Sequence, residues 1–282
     1  MKTFTLGSLT WNPSQDFLLI AGPCVIENLD LCLTIAGSVT ETCAKLKIPL
    51  IFKGSFDKAN RSSIKSFRGE GMEKGLDILQ QIRRQFGVPI TTDVHESAQC
   101  AAVGQVVDVM QIPAFLCRQT DLLVAAAQTG KPVSVKKGQF MAPWEMSNAV
   151  EKVLETRKNA GFSPDGGVFL IERGTFFGYN RLVNDMTGIP QMQDLAGGTP
   201  VIMDATHSTQ LPGGLGTSTA GNRQFSPLLA RCATAAGCNG LFLEVHPTPE
   251  KSASDAATIM NLKDLAPTLE QCLAIRDALR CR

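Results

Sequence analysis

Four residues of this sequence could together bind one metal ion, although they lie far apart along the chain. Each lies in a segment that ends or follows an apolar stretch: Cys24, His207, Glu244 and Asp255. A thiolate, an imidazole and two carboxylates form a mixed donor set that suits Zn²⁺, Fe²⁺ or Mn²⁺. From the residues alone, two other interpretations stay open. Cys24 could be a buried apolar side chain, and His207 could be an acid–base group.

Basic residues end several other apolar stretches. Lys53 and Lys136 terminate two of them, and Arg173 ends a third. A buried ammonium group is costly without an anionic partner. One interpretation is therefore a set of salt bridges to acidic residues that end neighbouring stretches, namely Asp93, Glu172 and Asp204. The other interpretation is an anionic ligand held by these cations.

The loop sequence FKGSFDKANRSS, residues 52–63, favours a bound anion. Beyond Lys53 it carries two further cations with amide and hydroxyl groups between and after them: Lys58, Asn60, Arg61, Ser62 and Ser63. Guanidinium and hydroxyl groups suit the several acceptor oxygens of a phosphate. Since the cations come from separate segments, the pattern predicts two anionic groups rather than one. A loop that is merely solvated or contacts another subunit is the alternative.

The segments that carry these residues alternate regularly. Short stretches rich in Val, Ile, Leu and Phe are typical of parallel strands covered on both faces. We expect such strands at 17–22, 49–54, 89–94, 107–112, 132–137, 168–173, 200–206 and 240–245. Helical periodicity between them predicts helices at 28–47, 71–86, 119–128, 144–159, 223–236 and 265–279, with a short or broken helix within 174–199.

This alternation predicts an α/β fold, a (β/α)8 TIM barrel, with residues 3–11 as a short N-terminal β-hairpin at its lower end. A doubly wound open sheet is the rival, but the glycine-rich phosphate fingerprint that often follows its first strand is missing from the sequence. We expect a single domain over residues 1–282. In a barrel, functional side chains gather at the C-terminal ends of the strands, where most of the candidate residues lie.

Composition narrows the class of protein. The 282 residues contain 27 basic and 26 acidic side chains, so net charge gives no reason to expect nucleic acid or a membrane surface as a partner. No stretch approaches the roughly 18 apolar residues of a membrane span, and no signal peptide is evident. Nine cysteines without a secretion signal indicate reduced thiols and a cytoplasmic protein.

Long motifs in this sequence resemble those of 3-deoxy-D-manno-octulosonate 8-phosphate synthases. The resemblance runs from about residue 17 to the last predicted helix and rests on AGPCVIEN, FKGSFDKANRSS, TDVHE, VVDVMQIPAFLCRQTDLL, VKKGQFMAPWEM, ERGTFFGYNRLVNDM, DATHSTQ and LFLEVHPTPEKSASDA. It implies a (β/α)8 enzyme, usually a homotetramer, that condenses phosphoenolpyruvate with arabinose 5-phosphate and water. The product is the eight-carbon sugar acid phosphate of lipopolysaccharide precursor synthesis, released together with inorganic phosphate.

The resemblance also implies roles for individual residues. A cysteine in the AGPC motif is typical of the metal-dependent class, so Cys24, His207, Glu244 and Asp255 are expected to bind a divalent ion. The expected phosphoenolpyruvate contacts are Lys53, Gln111, Ala114, Lys136, Arg173 and His207. Those for arabinose 5-phosphate are Lys58, Asn60, Arg61 and Ser62. Arg118 is expected to reach the site of a neighbouring subunit, and Asp204 or His207 to handle the proton.

Two other functions compete with this hypothesis. A sister family uses erythrose 4-phosphate to make 3-deoxy-arabino-heptulosonate 7-phosphate, but its sugar-binding loop is typically similar to KPRTS, whereas this sequence has KANRSS. A barrel that senses sugar phosphates without catalysis would bind both anions yet release no phosphate. The glycine-rich residues 211–222 resemble a loop that closes over the site during catalysis.

Overall fold

The computed structural model describes residues 1–61, 63–176, 180–213 and 220–280. Eight parallel strands form its centre, and each agrees with a predicted strand to within two residues at either end. They are β1 Leu18–Gly22, β2 Leu50–Lys53, β3 Ile90–Asp93, β4 Val109–Ile112, β5 Val133–Lys136, β6 Val168–Glu172, β7 Val201–Asp204 and β8 Gly240–His246. Each strand pairs with the next along the chain, and β8 also pairs with β1, so the sheet closes. The predicted TIM barrel is confirmed.

The α-helices surround this barrel. They are α1 Leu29–Leu46, α2 Met72–Phe86, α3 Ser97–Val106, α4 Thr120–Gln128, α5 Ser147–Asn159, α6 Gly188–Gln193, α7 Ser226–Ala235 and α8 Leu265–Arg280. All but α3 agree with the sequence prediction, and α6 is the expected short helix.

Helix α3 was missed because its sequence, SAQCAAVGQV, carries few large apolar side chains at helical spacing. Its small residues allow the helix to pack closely against its neighbours, but they do not form an apolar stripe that the sequence would reveal. The start of the helix is fixed by Gln99, whose side-chain oxygen accepts hydrogen bonds from the backbone N–H groups of His95, at 2.8 Å, and Glu96, at 3.3 Å.

Strand residues divide between two apolar layers. In β1, Leu18 and Ile20 belong to the cluster inside the barrel, whereas Leu19 and Ala21 belong to the cluster between the barrel and the helices. Alternate side chains of a strand point to opposite faces, so a strand buried on both faces must be apolar throughout. This double burial explains the uninterrupted apolar stretches of the sequence.

The N-terminal residues form the predicted hairpin and close one end of the barrel. Strands Phe4–Leu6 and Leu9–Trp11 pair in antiparallel fashion. Phe4 and Trp11 are buried and pack edge-on against Phe169 near the start of β6, with ring centroids 5.8 and 5.5 Å apart. Since these rings extend the inner apolar cluster at the N-terminal end, the opposite end is left for polar groups.

None of the described helices is long and apolar enough to cross a membrane. The strands all run in one direction, so their C-terminal residues meet at one end of the barrel. That end carries Lys53, Asp93, Lys136, Glu172 and Asp204, each the last residue of its strand.

We predict that Trp11→Ala lowers the free energy of unfolding by about 3–5 kcal/mol, because it empties a large buried volume under the barrel. Urea unfolding of the native protein and the variant would measure the change. Thr10→Ala, on the exposed face of the same hairpin, should stay within about 0.5 kcal/mol of the native protein. Equal losses for the two variants would contradict the role of the hairpin as a plug.

Candidate functional site

A cavity of about 800 Å³ opens at the C-terminal end of the barrel. It is lined by residues from the ends of the strands and from the loops that follow them. Among them are Lys53, Lys58, Asn60, Arg61, Asp93, His95, Gln111, Ala114, Lys136, Arg173, His207, Gln210, Glu244 and Asp255. Most residues predicted from the sequence therefore converge on one cavity.

The four candidate metal ligands meet beside this cavity. Cys24, His207, Glu244 and Asp255 each offer one donor atom, and these atoms all lie within 4.8 Å of one another. The Sγ atom of Cys24 lies 3.3 Å from Oδ2 of Asp255, and Nε2 of His207 lies 3.3 Å from Oε2 of Glu244. Such spacing allows one ion to contact all four donors.

The chemistry of these donors fits a cation. Oε2 of Glu244 is buried and makes no hydrogen bond to the described residues, which leaves an uncompensated oxygen facing the cluster. Burial, followed by the charge of Glu244, raises the pKa of the Cys24 thiol well above its usual value. A thiolate is therefore unfavourable at this position unless a positive ion is bound beside it. A thiolate, an imidazole and two carboxylates suit a borderline divalent metal.

Local backbone features bring the ligands together. At Gly22, a Cβ atom would overlap the backbone oxygen of Lys53, so glycine allows the chain leading to Cys24 to run close to β2. His207 opens the 3-10 turn His207–Thr209 after β7. Asp255 has a φ of 48°, a left-handed conformation that aspartate tolerates better than most residues. The ligands thus lie on tightly constrained backbone.

His207 is held by the last residue of β7. Oδ2 of Asp204 lies 2.7 Å from Nδ1 of His207, and Oδ1 accepts the backbone N–H of His207 at 2.8 Å. Burial would raise the pKa of Asp204, but His207 and Lys136 outweigh it and hold that pKa far below its usual range. With Nδ1 occupied in this way, Nε2 is the nitrogen that faces the other three ligands.

Two buried lysines pair with the acidic residues of the site. Lys136 donates to Oδ2 of Asp204 at 2.6 Å, which is one of the pairings expected from the sequence. Lys53, only 2% exposed, instead donates to Oε1 of Glu244 at 2.6 Å and to the backbone oxygen of Cys24 at 2.8 Å. Lys53 therefore spans two of the candidate ligand segments.

Arg173 is buried but lines the cavity, and one of its donors has no partner among the described residues. Its Nη2 donates to the backbone oxygen of His207 at 2.8 Å, whereas its Nε makes no hydrogen bond to the described residues. Burial lowers the pKa of the guanidinium, although nearby carboxylates, Asp204 first, oppose the shift. A guanidinium retains its charge in proteins, so the free N–H suits an anionic oxygen.

The basic loop of residues 52–63 also lines the cavity. Nζ of Lys58 donates to Oγ of Ser55 at 3.1 Å and lies 3.9 Å from Oε1 of Glu244. Burial would lower the pKa of Lys58, but the surrounding acidic groups, with Cys24 and Glu244 first, raise it instead. Nε of Arg61 donates to the backbone oxygen of Phe67 at 2.9 Å. Ser62 lies outside the described residues.

Three further predicted residues occupy different environments. Gln111 and Ala114 are buried and line the cavity, and Oε1 of Gln111 finds no hydrogen-bond donor among the described residues. Arg118 is exposed and does not line the cavity of its own chain. Asn60 is exposed on the rim.

Ser254 was missed by the sequence analysis. Its hydroxyl accepts a hydrogen bond from the Cys24 thiol at 3.0 Å and donates to Oδ2 of Asp255 at 3.2 Å. It therefore orients two candidate ligands at once. The only signal in the sequence is its position beside Asp255.

Comparison with known proteins shows the family of this chain. Residues 12–279 match the model of the DAHP synthetase I family. Three curated relatives carry the name 2-dehydro-3-deoxyphosphooctonate aldolase. The protein of Cyanothece sp. is 53% identical, with 96% of each chain covered. That of Leptothrix cholodnii is 52% identical, covering 95% of this chain and 93% of the relative. That of Protochlamydia amoebophila is 50% identical, covering 96% and 94%.

This chain belongs to the DAHP synthetase I family and, within it, to the 2-dehydro-3-deoxyphosphooctonate aldolases. The resemblance noted from the sequence motifs is thereby confirmed, and the chain is an enzyme. The sister activity toward erythrose 4-phosphate is related to it only at the level of the wider family.

Proposed function

We propose that this chain condenses phosphoenolpyruvate with D-arabinose 5-phosphate and water, giving 3-deoxy-D-manno-octulosonate 8-phosphate and inorganic phosphate. One observation carries the proposal. The four candidate metal ligands, two buried and two half-buried, lie beside a cavity that is also lined by two groups of cations, one on the strand ends and one on the loop of residues 52–63. The names of the relatives, which describe an aldolase of this phosphorylated octonate, support the same reaction.

Phosphoenolpyruvate is bound by the strand-end group of cations. Lys53, Lys136 and Arg173 surround its phosphate and carboxylate, and Gln111 and Ala114 line the same pocket. The free Nε–H of Arg173 supports this assignment, because it is a buried donor that needs an acceptor. Fixed cations on rigid strand ends hold the planar substrate oriented toward the sugar aldehyde.

Arabinose 5-phosphate is bound by the loop of residues 52–63. Lys58, Asn60, Arg61 and Ser62 contact this substrate. The half-buried position of Arg61 beside the cavity supports the assignment. The enol carbon then attacks the aldehyde while water adds to the neighbouring carbon, and phosphate leaves by carbon–oxygen cleavage.

A divalent metal, Zn²⁺, Fe²⁺ or Mn²⁺, is held by Cys24, His207, Glu244 and Asp255. When bound, it supplies Lewis-acid polarisation of substrate oxygens or lowers the pKa of a nearby water. The uncompensated Oε2 of Glu244 supports this ligand set.

Three residues of the chain position the reacting groups and protons. Asp204 holds a proton at Nδ1 of His207, which keeps the Nε2 lone pair directed toward the metal ligands. The same carboxylate accepts a hydrogen bond from Lys136, so both groups keep a fixed orientation. Lys53 ties the Glu244 carboxylate to the backbone at Cys24 beside the bound phosphoenolpyruvate.

We further propose that the chain is one domain that works as a homotetramer in the cytoplasm. Arg118 is exposed and does not line the cavity of its own chain, which supports a contact with the site of a neighbouring subunit.

The reaction is tested by measuring inorganic phosphate released when phosphoenolpyruvate is mixed with arabinose 5-phosphate. We expect rapid release with this sugar and much slower release with erythrose 4-phosphate, because the loop of residues 52–63 resembles that of the arabinose phosphate enzymes. Faster release with erythrose 4-phosphate would show the sister activity. Binding of both substrates without phosphate release would indicate a non-catalytic sensor.

Cys24→Ala should weaken Zn²⁺ binding and lower the turnover rate together, because it removes the thiolate from a buried donor set. Chelator competition would measure the affinity, and phosphate release the turnover. Removing the metal from the native protein should reduce turnover in the same way, and adding Zn²⁺ or Mn²⁺ should restore it. Cys43→Ala, at a buried cysteine of α1, serves as the control and should leave metal affinity unchanged. Full activity of chelated Cys24→Ala would refute the metal assignment.

Arg61→Ala should raise the KM for arabinose 5-phosphate roughly 10–100-fold, because a hydrogen bond to a charged group is worth about 1.5–3 kcal/mol. The KM for phosphoenolpyruvate should change little. Steady-state kinetics with each substrate varied in turn would separate the two constants. Arg68→Ala, which breaks an exposed pair with Asp57, is the matched control and should alter neither. An equal rise in both constants for Arg61→Ala would contradict the assignment.

A further inference from the structure

Gln210 lies between the candidate metal ligands and the cations of the strand ends. Its Nε2 donates to Oδ1 of Asp255 at 3.1 Å, and its Oε1 accepts from Nη2 of Arg173 at 2.5 Å. The side chain lines the cavity. One amide therefore contacts a metal-ligand carboxylate with its donor end and a buried guanidinium with its acceptor end.

The chemistry of the amide suits this position. Asp255 needs a donor and Arg173 needs an acceptor, and a glutamine provides both within one planar group. A carboxylate would repel Asp255, and an ammonium would repel Arg173. The other oxygen of Asp255, Oδ2, lies 3.3 Å from Sγ of Cys24 and so faces the ligand set. Gln210 thus restrains the oxygen that points away from the ligands.

The backbone around Gln210 also contacts the segments that carry Arg173 and Asp255. Its N–H donates to the backbone oxygen of His207, which accepts the guanidinium of Arg173 as well. Residues Gln210–Leu211 pair with Ala220–Gly221. At Gly221, a Cβ atom would overlap Cγ2 of Thr258, so only glycine lets this ladder pack against the segment that follows Asp255. The side chain therefore extends from a supported backbone.

Asp255 needs such support. Its φ of 48° is uncommon for a residue with a side chain, and such a backbone conformation persists only where surrounding contacts hold it. The second hydrogen bond to a ligating carboxylate commonly fixes its orientation and raises metal affinity.

We propose that Gln210 is a positioning residue that joins the metal site to the phosphoenolpyruvate site, by holding Asp255 and Arg173 in one hydrogen-bonded chain. The inference rests on the proposed function, because it takes Asp255 as a metal ligand and Arg173 as a substrate contact. It adds a residue whose loss weakens both sites separately.

Gln210→Met, which keeps the length of the side chain and removes both polar ends, tests the proposal. We expect the Kd for Zn²⁺, measured by chelator competition without substrates, to rise roughly 10–100-fold. We also expect the Kd for phosphoenolpyruvate, measured by calorimetry on chelated protein, to rise about tenfold, because Arg173 loses its partner. Because each dissociation constant is measured without the other ligand, the effect of losing each end of the amide is observed separately.

Two measurements separate positioning from a general loss of structure. The thermal midpoint of Gln210→Met and its KM for arabinose 5-phosphate at saturating phosphoenolpyruvate and metal should match the native values. Gln193→Met is the matched control, since the Gln193 side chain also makes two hydrogen bonds, donated by its Nε2 to the backbone oxygen of Gly237 and to Oδ1 of Asn239, but lies outside the cavity. It should leave both dissociation constants unchanged.

A change in only one dissociation constant would overturn the bridging role, as would no change in either. Both results assume that the native protein binds Zn²⁺ and phosphoenolpyruvate. Failure of the native protein to bind them would refute the proposed function instead, so the two failures are distinguishable.

Discussion

The site depends on one constraint, which is that charges buried at the end of the barrel must compensate one another. Glu244 is fully buried, and its two oxygens have different surroundings. Oε1 accepts the ammonium of Lys53, while Oε2 faces His207 without a hydrogen bond to the described residues. Burial would raise the pKa of this carboxyl, but His207 and Lys53 hold it well below its ordinary value. Oε2 nevertheless has no hydrogen-bond donor among the described residues, and a buried polar atom without a partner is costly, so a bound cation beside it is favourable.

The barrel makes this concentration of charge possible. Its inner apolar cluster and the rings of the N-terminal hairpin fill one end, so polar strand residues can meet only at the other. Parallel strands bring their C-terminal residues to the same end of the barrel, where Lys136 at the end of β5 reaches Asp204 at the end of β7. Because each side chain extends from a hydrogen-bonded strand, the charges are positioned before any ligand arrives.

Features that depend on neighbouring residues in the chain could be predicted from the sequence, whereas contacts between distant segments could not. Apolar stretches are local, so all eight strands and most helices were predicted, whereas α3 lacks a strong apolar stripe and was missed. The four candidate ligands were predicted as a group because each lies in a segment that ends or follows an apolar stretch. Contacts such as Ser254 with Cys24 join distant segments through side-chain geometry, so only the folded chain reveals them.

Salt bridges and anion binding, which the sequence offers as alternatives for the buried cations, are compatible in the folded protein. Lys136 is paired with Asp204, yet it also lies 3.8 Å above the ring of Phe242 at the edge of the cavity. Arg173 uses Nη2 for internal acceptors and leaves Nε free. The internal partners thus offset the unfavourable free energy of burying each cation and fix the orientation of its side chain. At least one donor of each cation remains for a ligand. A cation that was fully satisfied internally would gain little from binding a substrate, and one with no partner would destabilise the fold. The intermediate arrangement is the one that permits both stability and binding.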